Sequence, residues 1–270
     1  MTRIVLNSLH ASRRIFYALL LIAATTTACD KDKVDKGSSG STTENMNQNT
    51  QDPHSNARPK DAVAKHLDLD IQVDFEAKRI SGTATYTVQN KTGGNVIVFD
   101  TRNLDILDVT TPEGDSLGFT LGEADPILGQ ALEVELKPET QKVKIKYATT
   151  DGAAALQWLS PQQTEGKQQP FLFTQSQAIL ARTWIPSQDG PGMRFTYNAT
   201  VKVPSNLMAV MSATNPTERT ADGVYHFEMA QPIPAYLMAL SVSDLRFKPI
   251  GARTGVYAEP TMIDRAVNEF

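Results

Sequence analysis

Apolar and polar residues alternate over His66-Leu67-Asp68-Leu69-Asp70-Ile71-Gln72-Val73-Asp74-Phe75, the period of a strand with one face buried and one in water. Its aspartates therefore form a solvent-facing row. The charged turn Glu76-Ala77-Lys78-Arg79 leads into residues 80–89, which alternate again and are rich in β-branched side chains. The two segments predict an antiparallel hairpin. Residues 96–100 form a continuous apolar run suited to a core strand, and residues 104–109, 131–136 and 143–147 follow at close spacing, punctuated by turns at 111–115 and Pro138. Residues 224–229 alternate once more, which sets His226 and Glu228 side by side on a sheet surface. Runs of strands without intervening helical periods predict an all-β fold, an antiparallel β-sandwich or saddle, over residues 52–258.

The pattern changes at both ends. Met262, Ile263, Ala266, Val267 and Phe270 mark one face of a helix of roughly two turns, too short to hold without burial of its stripe. No packing partner for it is visible in the sequence. At the other end, Arg3, His10, Arg13 and Arg14 precede the apolar run 15–24, and small residues lead to Ala28-Cys29. This is the layout of an export signal, and the run is about half the roughly 20 apolar residues that a spanning helix needs. Residues 30–51 are rich in Lys, Asp, Gly, Ser, Thr, Asn and Gln, which predicts a flexible tether.

Composition narrows the function. A net charge of -4 with mixed signs offers no basic face for nucleic acid. Cys29 is the only cysteine, so neither an internal disulfide nor a cysteine zinc cage can form. Four histidines, His10, His54, His66 and His226, are scattered, and none opens an H-E-x-x-H motif. His54 reads as a capping or surface residue, and Trp158 as a core anchor.

The candidate chemistry lies in residues 174–191, where amide side chains, a turn and an aromatic interrupt the β pattern. In an extended segment Gln175 and Gln177 share a face, so their carbonyl oxygens can converge on one donor. A peptide's α-ammonium has three donor hydrogens and needs acceptors when it loses water. The alternative is that both glutamines satisfy backbone groups of a loop. Arg182 is expected to brace this loop through backbone carbonyls or Asp189.

The same stretch resembles the substrate-side loop of the M1 zinc aminopeptidases, through Gln175, Gln177, Ala178, Ala181, Arg182, Pro186, Asp189 and Pro191. Gln at 177, where most of that class has Glu, is similar to the branch of leukotriene hydrolase and aminopeptidase B. Ala155-Leu156-Gln157-Trp158-Leu159-Ser160-Pro161-Gln162-Gln163-Thr164 resembles that branch too, as do Val203-Pro204 and the stretches 207–213, 232–240, 251–254 and 258–260. Ser187 departs from the branch, which usually has Cys there. Thr26-Thr27-Ala28-Cys29 resembles a lipobox, and Arg13-Arg14 a twin-arginine motif, although ordinary secretory export is the preferred reading.

The resemblance implies a lipoprotein signal peptide at 1–28, a tether at 29–51, the aminopeptidase amino-terminal β domain at 52–258, and the start of a catalytic domain at 259–270. It implies substrate binding by Gln175, Gln177 and Ala178, with peptides bearing a free amino terminus as substrates and acylated Cys29 as the membrane anchor. Zinc would belong to the complete enzyme, bound by a carboxy-terminal catalytic domain, and none to this chain. On that reading residues 52–270 alone are inactive and the protein is an exported bacterial lipoprotein. The alternative is a lipid-anchored peptide-binding or interaction module without catalysis.

Overall fold

The computed structural model describes residues 52–91 and 93–270; the export signal, Cys29 and the tether lie outside the described residues. The first strand, β1 (Ala62–Asp74), begins four residues before the predicted one. Ala62, Val63 and Ala64 are all buried, and a register shift between Ala64 and His66 then starts the alternation. β2 (Arg79–Asn90) closes the predicted hairpin, with Asp74 opposite Arg79 and Ile71 opposite Gly82. Gly82 is required there, because a Cβ would lie 2.0 Å from the Asp70 carbonyl oxygen. Asp74 Oδ1 accepts the N–H groups of Glu76 and Ala77 and so holds the turn.

The buried strand β3 (Val96–Thr101) and β4 (Leu104–Thr110) follow. Asn103, with φ of 55°, makes the turn between them. After the short edge strand β5 (Phe119–Leu121) come β6 (Gln130–Glu135) and β7 (Lys142–Thr149). Next are β8 (Leu156–Leu159), β9 (Phe171–Thr174), β10 (Arg194–Lys202), β11 (Met208–Met211) and β12 (Val224–Pro234). The hairpin strands β14 (Arg246–Pro249) and β15 (Gly255–Ala258) come after β13 (Leu240–Ser243) and precede α1 (Ile263–Glu269).

A six-stranded sheet has the order β12-β10-β1-β2-β7-β4, a four-stranded sheet the order β11-β13-β9-β8, and a three-stranded sheet the order β3-β6-β5. Pairing is antiparallel except between β1 and β10, which run parallel with His66 opposite Thr196. That exception positions the site. Two parallel neighbours start at the same end of a sheet, so the approach to β1 (residues 52–61) and the approach to β10 (residues 181–193) meet there.

The core carries fully buried phenol and phenyl rings, Tyr86, Tyr147, Tyr197, Tyr225, Phe99 and Phe195. Buried phenols need acceptors, and three find backbone carbonyls: Tyr86 donates to Pro186 at 2.7 Å, Tyr197 to Ser212 at 2.8 Å and Tyr225 to Leu207 at 2.9 Å. Burial pushes the Tyr86 and Tyr147 hydroxyls far above their ordinary range. Trp158 packs against this core but stays half-buried, edge-on to Phe75 with 5.3 Å between centroids. The fully enclosed tryptophan is Trp184.

The stripe of α1 has a partner after all. Met262, Ile263, Ala266 and Val267 are half-buried where the helix meets the β14–β15 hairpin, and Lys248 pairs with Asp264 at 2.6 Å. Phe270 is 85% exposed. His226 and Glu228 stand on the exposed face of β12, as their alternation predicts. Among the described residues no helix is long and apolar enough to cross a membrane.

Candidate functional site

β9 delivers the chain to the loop that begins at Gln175. Ser176 turns inward, where its Oγ donates to the Met238 carbonyl at 3.2 Å and accepts the Trp184 indole N–H at 3.0 Å. With Ser176 buried, Gln175 and Gln177 both turn to solvent. Gln175 Oε1 accepts the Gln177 N–H at 3.1 Å, which occupies one of its two lone pairs. Gln175 therefore braces the loop, and Gln177 is the amide left facing outward. The Gln177–Ala178 peptide bond is cis.

Residues 181–190 are all buried, and one cation organises them. The Arg182 side chain has no exposed surface. Its Nε reaches Asp189 Oδ2 at 3.2 Å, Nη1 donates to the Leu128 carbonyl at 2.8 Å, and Nη2 donates to the carbonyls of His54 at 2.7 Å and Asp189 at 3.0 Å. The planar fork of donors suits an arginine and no other side chain. The bracing role expected from the sequence is thus present, and it extends to the approach segment through His54.

Asp100, at the inner end of β3, ties the same pieces together. Its Oδ2 accepts from Ser55 Oγ at 2.6 Å and from the Asp189 N–H at 2.9 Å, and its Oδ1 accepts from the Asn56 N–H at 2.6 Å. Arg182 Nη1 lies 3.6 Å from Asp100 Oδ1. Burial pushes the Asp189 carboxyl above its ordinary range, against the pull of Arg182's charge and hydrogen bonds. Gln188 completes the frame by accepting from the Ala64 N–H and donating to the carbonyls of Ala62 and Val98.

Above this frame opens a cleft of about 310 Å³, lined by Asp52, His54, Gln177, Ala178, Ile179, Pro191 and Tyr236. Its walls are mostly apolar, with Gln177, Asp52, His54 and Tyr236 as the polar groups. Gln175 is not among its lining residues. Asp52 and His54 came to this place without a local signal, since 125 positions separate Asp52 from Gln177. Only the parallel pairing of β1 and β10 brings them together. Among the described residues no three His, Cys, Asp or Glu side chains are grouped to hold a metal ion.

Residues 63–237 match the model of the Peptidase M1 N-terminal domain. The chain belongs to the M1 peptidase family. Leukotriene A-4 hydrolase of Xenopus laevis is 36% identical over 230 residues, covering 81% of this chain and 38% of that protein. Leucine aminopeptidase 2 of Yarrowia lipolytica is 36% identical over 203 residues, covering 74% of this chain and 31% of its own length. Yeast LTA4 hydrolase in complex with bestatin superposes with a TM-score of 0.76 at 32% identity, over 83% of this chain and 35% of that one. A M1 zinc metallopeptidase from Deinococcus radiodurans, at 21% identity and a TM-score of 0.53, shares the fold alone. This M1 chain spans about a third of the length of the curated relatives it matches.

Proposed function

We propose that residues 52–270 form the amino-terminal, substrate-side part of a membrane-anchored zinc aminopeptidase, and that the Gln177 cleft receives the free amino terminus of a peptide. The observation that carries this reading is the cleft itself, in which Gln177 and Ala178 stand at an apolar-walled opening over a rigid buried ion network. Gln177 Oε1 accepts an ammonium hydrogen, and the walls formed by Ala178, Ile179 and Pro191 exclude water around it. Ammonium held this way gains a charge-assisted hydrogen bond in surroundings of lowered dielectric.

The sequence holds no H-E-x-x-H, and among the described residues no group of His, Cys, Asp and Glu side chains fits zinc. On this reading zinc belongs to a carboxy-terminal catalytic domain of the complete enzyme. This chain's own contribution is to bind and orient the amino terminus. Cys29 carries the acyl chains that anchor the protein on the outer side of a bacterial membrane, with residues 30–51 as the spacer. Two or more chains at about 0.8 kcal/mol per buried CH₂ are needed for stable anchoring.

Gln177→Glu tests the reading. A carboxylate at 177 adds an ion pair to the ammonium, so the affinity for Leu-Gly measured by calorimetry should rise about tenfold, with N-acetyl-Leu-Gly unchanged. Equal affinity of the variant and the wild type for the free dipeptide removes Gln177 from the site.

A further inference from the structure

The neutral Gln177 leaves an ammonium in this cleft without a carboxylate partner, yet the cleft contains one. Among the described residues Asp52 is its only lining carboxylate. We propose that Asp52 is a second recognition residue for the substrate's α-ammonium group, its Oδ2 supplying the negative charge that Gln177 lacks. This rests on the reading of the Gln177 cleft as the amino-terminal pocket.

The local geometry gives the two oxygens of Asp52 different surroundings. Oδ1 accepts the His54 N–H at 2.9 Å and lies 3.3 Å from His54 Nδ1, while the Asp52 carbonyl accepts the Ser55 N–H at 3.2 Å. These bonds fix a turn over Asp52-Pro53-His54-Ser55 and with it the carboxylate plane. Oδ2 has no hydrogen-bond partner among the described residues. It sits over Gly190, where a Cβ would come within 2.9 Å of it. The absence of a side chain at 190 makes room for this oxygen next to Pro191, which lines the cleft.

His54 is held on the opposite oxygen and leaves Oδ2 open. An ammonium seated between Gln177 Oε1 and Asp52 Oδ2 has two of its three hydrogens satisfied, with the third left for water. The carboxylate also gives the cleft a reason to prefer a charged amine over an acylated one, which the neutral amide of Gln177 alone supplies only weakly.

Asp52→Asn is the direct test, since it keeps Oδ1 for the turn and replaces only Oδ2. Titration of the whole chain with Leu-Gly should show affinity falling about fivefold to tenfold in Asp52→Asn, with N-acetyl-Leu-Gly binding unchanged. Asp52→Glu, which keeps the charge, should recover part of the loss. An unchanged ratio of free to acetylated affinity in Asp52→Asn overturns the proposal. If Gln177→Ala removes the free-amine preference while Asp52→Asn keeps it, the role of Asp52 falls and the Gln177 reading stands. A wild-type chain with no preference for the free amine overturns both.

Discussion

Replacing Arg182 by methionine should destabilise the fold more than any other single change at this end of the sheet. Methionine keeps much of the volume and removes the charge and every side-chain donor. Asp189 then loses its ion pair at 3.2 Å, and the carbonyls of Leu128, His54 and Asp189 each lose a hydrogen bond that is buried or partly buried. Breaking a fully buried pair by removing one partner costs about 3–5 kcal/mol. For a folded unit of this size that corresponds to a fall in Tm of roughly 6–20 °C. The pH dependence gives a second readout. Burial already raises the Asp189 carboxyl, and without Arg182 that push is unopposed. A carboxyl raised in the folded state stabilises below its unfolded pKa of about 4, and that contribution is lost as pH rises through the folded value. The deficit of Arg182→Met relative to wild type should therefore be largest near pH 7–8 and shrink toward pH 4–5. Urea unfolding at both pH values measures it. A loss below about 1 kcal/mol at pH 7, or a loss that does not change with pH, would refute the view that this network holds the loop.

Other substitutions probe the same frame. Ser187 Oγ is buried without a partner, so Ser187→Cys, which replaces the hydroxyl by a group indifferent to hydrogen bonding, should raise stability by about 1 kcal/mol in thermal melts. Gly82→Ala drives a Cβ into the Asp70 carbonyl and should cost about 3 kcal/mol in urea unfolding; a neutral result would mean that the β1–β2 register is softer than it stands here. At the amino end, metabolic labelling with palmitate should mark the protein through Cys29, and Cys29→Ser should abolish the label and release the protein from membranes. Retained label in Cys29→Ser would contradict acylation at that residue.

The strands with one wet face were legible in the sequence, because burial on one side writes a period of two that β1, β2 and β12 keep. The buried strand β3 showed as an unbroken apolar run for the complementary reason. Ala62–Ala64 escaped notice because all three are buried and the bulge beyond them resets the phase. The parallel β1–β10 pair was invisible, since no local pattern names the partner of a strand. Everything that depends on this pair was hidden with it, including the arrival of Asp52 and His54 beside Gln177. Arg182 could be read correctly as a brace because Asp189 lies seven residues away, whereas its reach to Leu128 and His54 spans the fold. The local bond between the two glutamines was also not legible in the alternation. The turn after Ser176 brings the Gln177 N–H back within reach of Gln175 Oε1, and an unsatisfied backbone donor takes the nearest acceptor.

The central claim is that Gln177 meets the amino terminus of a peptide in this cleft. Side-chain amide resonances of the ¹⁵N-glutamine-labelled chain, assigned with Gln177→Ala and Gln175→Ala, report on it during titration with Leu-Gly and N-acetyl-Leu-Gly. The account predicts a saturable shift of the Gln177 amide with the free dipeptide, a smaller one with the acetylated peptide, and a Gln162 amide that stays in place with both. A Gln177 resonance unmoved by saturating Leu-Gly, or moved equally by both peptides, would contradict it.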